Sequence, residues 1–332
     1  MVDAHPGERN YGELTRPLLL AAFAMRGDHA AVRIATGLRA ASQSIAWIGA
    51  AAGIFEKHGL CVSLPRLEVG GPESAAGLLR REWDFAQTGT VPIAEAVLNG
   101  GDAVILLRNT VPHDDIVIMA RPEITRLGQL AGRKVGVLTD AYSGQAGVIV
   151  RRAIENVGAT AIYASLGTCR NIHAALAAGE IDAAALPIDF CFVGQHECGW
   201  TIFKAARLGV PSIVAGTRRM IASDRGRVLR VLQGIVESIH LFKTRADIVV
   251  PLLQEFVQFG DRRAVECLHD YYAPLFPAVP RPDLAQGLQD IRDLFVGRYP
   301  AARDLQEADI ADSSLIDEIE QSGFIRKLYE RG

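Results

Sequence analysis

No stretch of this 332-residue chain is apolar for long enough to cross a bilayer, which excludes a protein integral to a membrane. Lys and Arg form no block and the formal net charge is -3, so nothing invites nucleic acid. Cysteine is sparse. The five residues Cys61, Cys169, Cys191, Cys198 and Cys267 are odd in number and share no spacing, which argues against a disulfide framework and for a reducing compartment. Cys191, His196 and Cys198 fall together in "CFVGQHEC", but no second cysteine–histidine pair completes a four-ligand set, so packed cysteines are expected there, not a metal. "TDAYSGQAG" lacks the lysine and the spacing of a nucleotide-binding P-loop. No cofactor is implied.

What is present reads as a globular chain, 49% hydrophobic and 22% charged, long enough for two lobes with cores of their own. The N-terminus is ambiguous. "LLLAAFAM" follows Arg16, and Ala22-Phe23-Ala24 resembles a small-x-small cleavage site; the apolar core is short, however, and Asp3, Glu8 and Glu13 spoil a positive leader. Residues 1–31 are therefore either an extension or a weak export signal.

From Val32 the chain alternates short apolar runs with helical patterns. "AVRIATG" reads as a strand and "SQSIAWIGAAAGIFEKHG" as one helix capped by Ser42 or Ser44 and stopped at Gly59. "CVSLPRLEV" is a strand broken or edged by Pro65, and "PESAAGLLRRE" a helix with proline in its first turn. "WDFAQTG", "VPIAEAVLNGG" and "AVILLRN" continue as strand, helix, strand. The rhythm restarts with "DDIVIMA", "KVGVLT", a helix from Ser143 to Val157, "TAIYASL", "RNIHAALAAGE" and "IDAAALP". Two further strands follow, "GWTIFKAA" and "SIVAGTRRM", and after Ser223 the pattern is almost wholly helical. This order predicts mostly parallel sheets with flanking helices and a helical C-terminal segment. One internal echo stands out: "AAGLLRREWDFAQTGTVP" and "IHAALAAGEIDAAALPID" place Asp84 and Asp182 at matching positions before a strand.

Ligands of open α/β sheets bind beyond the carboxyl ends of the strands. That rule selects Ser42 and Gln43, then Thr88, Gly89 and Thr90, then Arg108 and Asn109, from the first unit. From the second it selects Tyr142, Ser143 and Gly144, Arg170, and Asp189 and Phe190. Ser143 and Gly144 open a helix whose N–H groups and dipole could hold an anion, or be an ordinary cap. Thr90 is equally an ordinary turn residue. Trp47, Tyr142 and Phe190 could supply an apolar wall, with Trp47 alternatively in the core.

Four stretches, "AWIGAAAGIFEKHGL", "GGPESAAGLLRREWDFAQTGTVPIAEAVLNG", "ITRLGQLAGRKVGV" and "SSLIDEIEQSGFIRKLY", resemble the solute-binding proteins of ABC importers. They are most similar to the branch of type II periplasmic binding proteins that holds the alkanesulfonate, taurine and nitrate binders and the thiamine-pyrimidine-synthase-like proteins. The resemblance implies one lobe of residues 32–114 plus 217–332 and another of 115–216, joined by crossings near Val111–Asp115 and Ser212–Gly216. A small organic, anionic molecule would be trapped between them by hinge closure, with Thr90 and Ser143 lining the cleft, and passed to a membrane permease. Such a component is periplasmic, whereas the weak leader and the cysteines point to the cytoplasm.

The same resemblance admits a cytosolic enzyme. The pyrimidine synthases carry a lysine where this chain has Thr88 and a histidine near Pro92, and the desulfinase nucleophile is a cysteine where it has Ala40 or Ala41, so neither chemistry transfers. His113 and Asp114, beside Asp115 in "NTVPHDDIV", are the remaining catalytic candidates, as a general base or as a polar hinge.

Overall fold

Strand formation follows the apolar runs, and the resulting sheets explain why so many runs are apolar throughout. The computed structural model describes residues 31–65, 68–113, 116–191, 199–205, 208–258 and 260–330. Its strands are β1 (Val32–Thr36), β2 (Val62–Ser63), β3 (Phe85–Gly89), β4 (Ala103–Arg108), β5 (Ile116–Ala120), β6 (Lys134–Val137), β7 (Ile162–Ser165), β8 (Ala183–Pro187), β9 (Thr201–Lys204) and β10 (Ser212–Thr217). They form two five-stranded sheets, ordered β2-β1-β3-β10-β4 and β7-β6-β8-β5-β9. Strands β3, β5, β8 and β10 are buried along their whole length. Covered on both faces, they have no polar side to show, hence runs such as "IVIMA" instead of alternation.

Both sheets use one plan. β2, β1 and β3 pair in parallel, as do β7, β6 and β8. The fourth position of each sheet is filled by a strand arriving from the other: β10 enters the first sheet antiparallel to β3 and β4, and β5 enters the second antiparallel to β8 and β9. Four strands of each sheet therefore share a direction, as the β-α-β rhythm predicts, and one opposes them.

The echoed aspartates do matching work. The Asp84 carboxylate accepts from the Arg33 amide at 2.8 Å, and its own amide donates to the Arg33 carbonyl. The Asp182 carboxylate accepts from the Lys134 amide at 2.9 Å, and its amide donates to the Lys134 carbonyl. Each fixes the start of its sheet's third strand, β3 or β8, against the second, β1 or β6, and an arginine, Arg33 or Arg133, covers each carboxylate at 3.0 Å.

The single helix expected after β1 is divided. A short 3-10 turn at Ala41–Gln43 precedes α1 (Ile45–Ala51), and a further turn, α2 (Ile54–Lys57), follows a break at Gly53, which adopts φ 68°. That left-handed conformation is open to glycine at little cost and ends the first segment. Neither Ser42 nor Ser44 caps it by side chain; the Ser44 hydroxyl donates to the Ala41 carbonyl at 2.8 Å. Helices α3 (Gly71–Leu79), α4 (Thr90–Leu98), α5 (Gln145–Glu155) and α6 (Cys169–Ala177) then begin near the carboxyl ends of strands, as parallel crossovers require.

After β10 the chain is helical: α7 (Arg218–Ser223), α8 (Arg225–Thr244), α9 (Ala246–Val257), α10 (Arg262–Tyr272) and shorter pieces to Glu330. Helix α8 starts at Asp224, whose carboxylate accepts from the Arg227 amide at 3.0 Å. Val228, Val231, Leu232, Ile235, Val236, Ile239 and Phe242 make its three-and-four stripe, which joins the core over β1, β2, β4 and β10. No helix among the described residues is long and apolar enough to cross a membrane. The candidate leader lies outside the described residues, as do Asp114 and two members of the cysteine–histidine group, His196 and Cys198.

Candidate functional site

The strand tips of the two sheets converge on two separate cavities. The inner one measures about 40 Å³ and is lined by Gln43, Thr88 and Gly89 from the first sheet's loops and by Asp140, Gly144 and Gln145 from the second's, with Ser212 at the return crossing. Thr88 is 1% exposed, and its hydroxyl has no hydrogen-bond partner. Around it, Thr36 Oγ1, Gln87 Nε2, Asn109 Oδ1 and Thr110 Oγ1 are also buried without partners. Each such group costs about 1–3 kcal/mol when left unpaired, and of these five Thr88 is the one that lines the cavity. Gln43 is partly committed, since its Oε1 accepts from the Leu38 amide at 2.9 Å.

Hydrogen bonds between the two sheets and their flanking helices are made at several points. The Gln145 side-chain oxygen accepts from the Val91 amide at 3.4 Å. Gly89 permits this approach, because a Cβ there would stand 2.5 Å from Gln145 Oε1. Asp189, fully buried just after β8, accepts from the Ala41 amide at 2.8 Å and from the Tyr272 hydroxyl at 3.0 Å. Glu68 Oε1 accepts from the Cys169 amide, the first of α6, at 2.7 Å.

The helix start expected to receive an anion is already supplied with one. Asp140 Oδ1 accepts from the Tyr142 and Ser143 amides at 2.6 and 2.8 Å, and the Ser143 hydroxyl donates to Oδ2. Burial acts to raise the Asp140 pKa, but these three donors outweigh it and the carboxyl lies below its ordinary value. Ser143 is thus turned to Asp140 and lines neither cavity. Tyr142 is 61% exposed, with the Arg151 guanidinium 4.9 Å over its ring, and supplies no wall.

The outer cavity, about 280 Å³, is bounded by Arg39 and Glu68 from the first sheet's loops, by Cys169, Arg170 and Phe190 from the second's, and by Gln258 at the end of α9. Burial lowers the pKa of the Arg39 guanidinium, Glu68 acts to raise it, and Arg170 lowers it again. Burial, and then Glu68, push the pKa of the Cys169 thiol well up. Glu68 and Gln258 hold φ of 62° and 59°, two of the three non-glycine residues with positive φ among those described.

Several expected contacts are structural instead. The Thr90 hydroxyl donates to the Pro211 carbonyl at 2.8 Å and lines neither cavity. Ser42 is buried against Ser212, and Asn109 lies behind it, its side-chain amide 3.4 Å from Ser212 Oγ. Arg108 reaches Asp283 at 3.5 Å, away from both cavities. Trp47 packs on Phe256. His113 Nδ1 bonds the Val111 carbonyl at 2.9 Å and its ring packs against Tyr271 and Tyr272, so it faces neither cavity. Among the described residues no three His, Cys, Asp or Glu converge as a metal ion would require. Sequence reasoning missed Arg39, Glu68 and Gln258. Arg39 sits in the loop after β1 and was within reach of the strand-end rule; Gln258 carries no such signal, because its helix joins the site only through tertiary packing.

No family model matches the chain, and no curated protein matches it. Solved structures do. A protein from Bordetella bronchiseptica is 15% identical with a TM-score of 0.75, over 89% of this chain and 98% of that one. The alkanesulfonate-binding protein of Xanthomonas axonopodis pv. citri, bound to MOPS, is 17% identical with a TM-score of 0.66, over 85% and 96%. The periplasmic nitrate-binding protein of Synechocystis PCC 6803 is 10% identical with a TM-score of 0.68, over 88% of each. With two five-stranded sheets exchanging one strand each, the chain has the periplasmic-binding-protein fold, in the form found in the alkanesulfonate-binding and periplasmic nitrate-binding proteins.

Proposed function

We propose that this protein captures a small organic, anionic solute between its two sheets and delivers it to an ABC permease. The lobes are residues 32–114 with 217–332, and 115–216, hinged at the two crossings. The observation that carries this reading is the buried, unpartnered Thr88 hydroxyl, at a cavity whose opposite wall belongs to the other sheet. At about 40 Å³ that cavity has room for about three waters, so entry of a solute requires the sheets to part. Parting the sheets breaks the bridges at Gln145, Asp189 and Glu68, and a solute offering a polar group to Thr88 and Gly144 offsets part of that loss. Neighbours of the same fold that bind alkanesulfonate, aliphatic sulfonate and nitrate favour a sulfonate or related oxyanion as the ligand.

A thermal-shift screen over sulfonates, carboxylates and nitrate tests the reading, since a captured solute raises the melting temperature by mass action. Thr88→Val should reduce the shift of any hit by weakening binding about tenfold, the worth of one lost hydrogen bond to a buried group. A panel without a single hit, or a hit indifferent to Thr88→Val, refutes it.

A further inference from the structure

We propose that the outer cavity is an oxyanion site, in which Arg39 and Arg170 jointly hold the anionic head of the solute. This rests on the capture reading above and adds where the charge goes. The two cavities differ in sign. Among the described residues, the only charged one lining the inner cavity is Asp140, a carboxylate, which would repel an anion. The outer cavity sets two guanidiniums against the single carboxylate of Glu68, itself engaged by the Cys169 amide.

Neither arginine has a carboxylate within salt-bridge distance among the described residues. Arg39 donates to the Phe256 carbonyl at 3.2 Å, and Arg170 to the Gln258 carbonyl and side-chain oxygen at 3.4 and 3.2 Å. Each guanidinium carries five N–H donors, so several remain to be shared by an acceptor placed between them. An oxyanion there also offsets the burial that chiefly lowers the Arg39 pKa, and the lesser repulsion from Arg170. The space fits an organic body as well: about 280 Å³, with Phe190 6% exposed on the wall and the His173 ring 5.5 Å from it. Glu68 and Gln258, both held at positive φ, flank the two arginines, and backbone strain of this kind gathers at ligand clamps. Arg39, Arg170 and Gln258 come from three separate parts of the chain, so one anion ties them together.

Calorimetric titration of the full chain with benzenesulfonate, and with uncharged benzenesulfonamide as its isostere, tests the assignment. Benzenesulfonate should bind more tightly than the sulfonamide, and added salt should weaken it. Arg39→Gln and Arg170→Gln should each weaken benzenesulfonate about tenfold while leaving the sulfonamide unchanged. Arg170 is exposed, so its variant tests the site even if Arg39→Gln does not fold. Equal benzenesulfonate affinity in wild type and the double variant overturns the site. If Thr88→Val weakens benzenesulfonate and the arginine variants do not, the inner cavity holds the sulfonate: the capture reading stands and this one falls. If the arginines matter and Thr88 does not, the oxyanion site stands and the Thr88-centred reading falls. Binding of neither compound at millimolar concentration overturns the oxyanion site, while the capture reading stands or falls with the wider panel.

Discussion

In the first sheet the outer strands are covered: Val62 on β2 is 4% exposed, and β4 is buried from Ala103 to Leu107. In the second sheet their counterparts are bare. β7 leaves Ile162 56% exposed, and neither β7 nor β9 contains a buried residue. The two sheets share strand order and the aspartate that fastens their third strand, so local sequence does not account for the contrast. The C-terminal helices do, because α8, α9 and α10 put their apolar stripes into the core of the first sheet. The outer strands of one sheet are thereby braced and those of the other are not, which lowers the local stability expected of the second sheet's edges.

That contrast can be broken most sharply by truncation. Phe242→Ala, in the helical jacket, should cost about 3–5 kcal/mol in denaturant midpoints, and Ile162→Ala on β7 no more than about 0.5 kcal/mol. Comparable losses would mean that the sheets are equally braced. Next comes the bridge between them. Asp189→Ala leaves the Ala41 amide and Tyr272 hydroxyl without that acceptor and should cost about 2–3 kcal/mol, with faster amide exchange at Ala41. Protection unchanged at Ala41 would show that the sheets are held by other means.

The fastening aspartates sharpen the likeness. Asp84→Ala and Asp182→Ala should each lower stability by about 1 kcal/mol, the partly exposed ion pairs adding little to the hydrogen bonds. A large inequality would make the echo accidental.

The smallest effect concerns Asp140, whose folded-state pKa is depressed. Its contribution is present above the unfolded value and is lost as pH falls through the folded one. Wild type should therefore exceed Asp140→Asn in stability by a constant margin from neutral pH down to about 4, and lose that margin only in stronger acid. A margin already fading near pH 6 would contradict the hydrogen bonding at Ser143.

Much of this was legible beforehand. The strands from Val32 to Thr217 follow apolar runs, and helices starting near Gly71, Thr90 and Cys169 follow period and turn residues, because these are local effects of side chain on backbone. Thr88, Gly89 and Gly144, selected because strand tips of a parallel sheet face one way, line the inner cavity. The failures have a common cause. Ser143, Thr90 and Arg108 were judged by chemistry alone, and each found a protein partner that local pattern does not reveal: Asp140, Pro211 and, 175 residues away, Asp283.

The sequence by itself determined the alternation of strand and helix, the duplicated aspartate and hence the fold, all of which arise from contacts along or between neighbouring segments. Only the tertiary structure decided which polar groups remain without partners and which charges share a cavity. Arg39, Arg170 and Gln258 meet because three distant segments pack around one space, and the electrostatics of that space depend on distances that no linear spacing encodes.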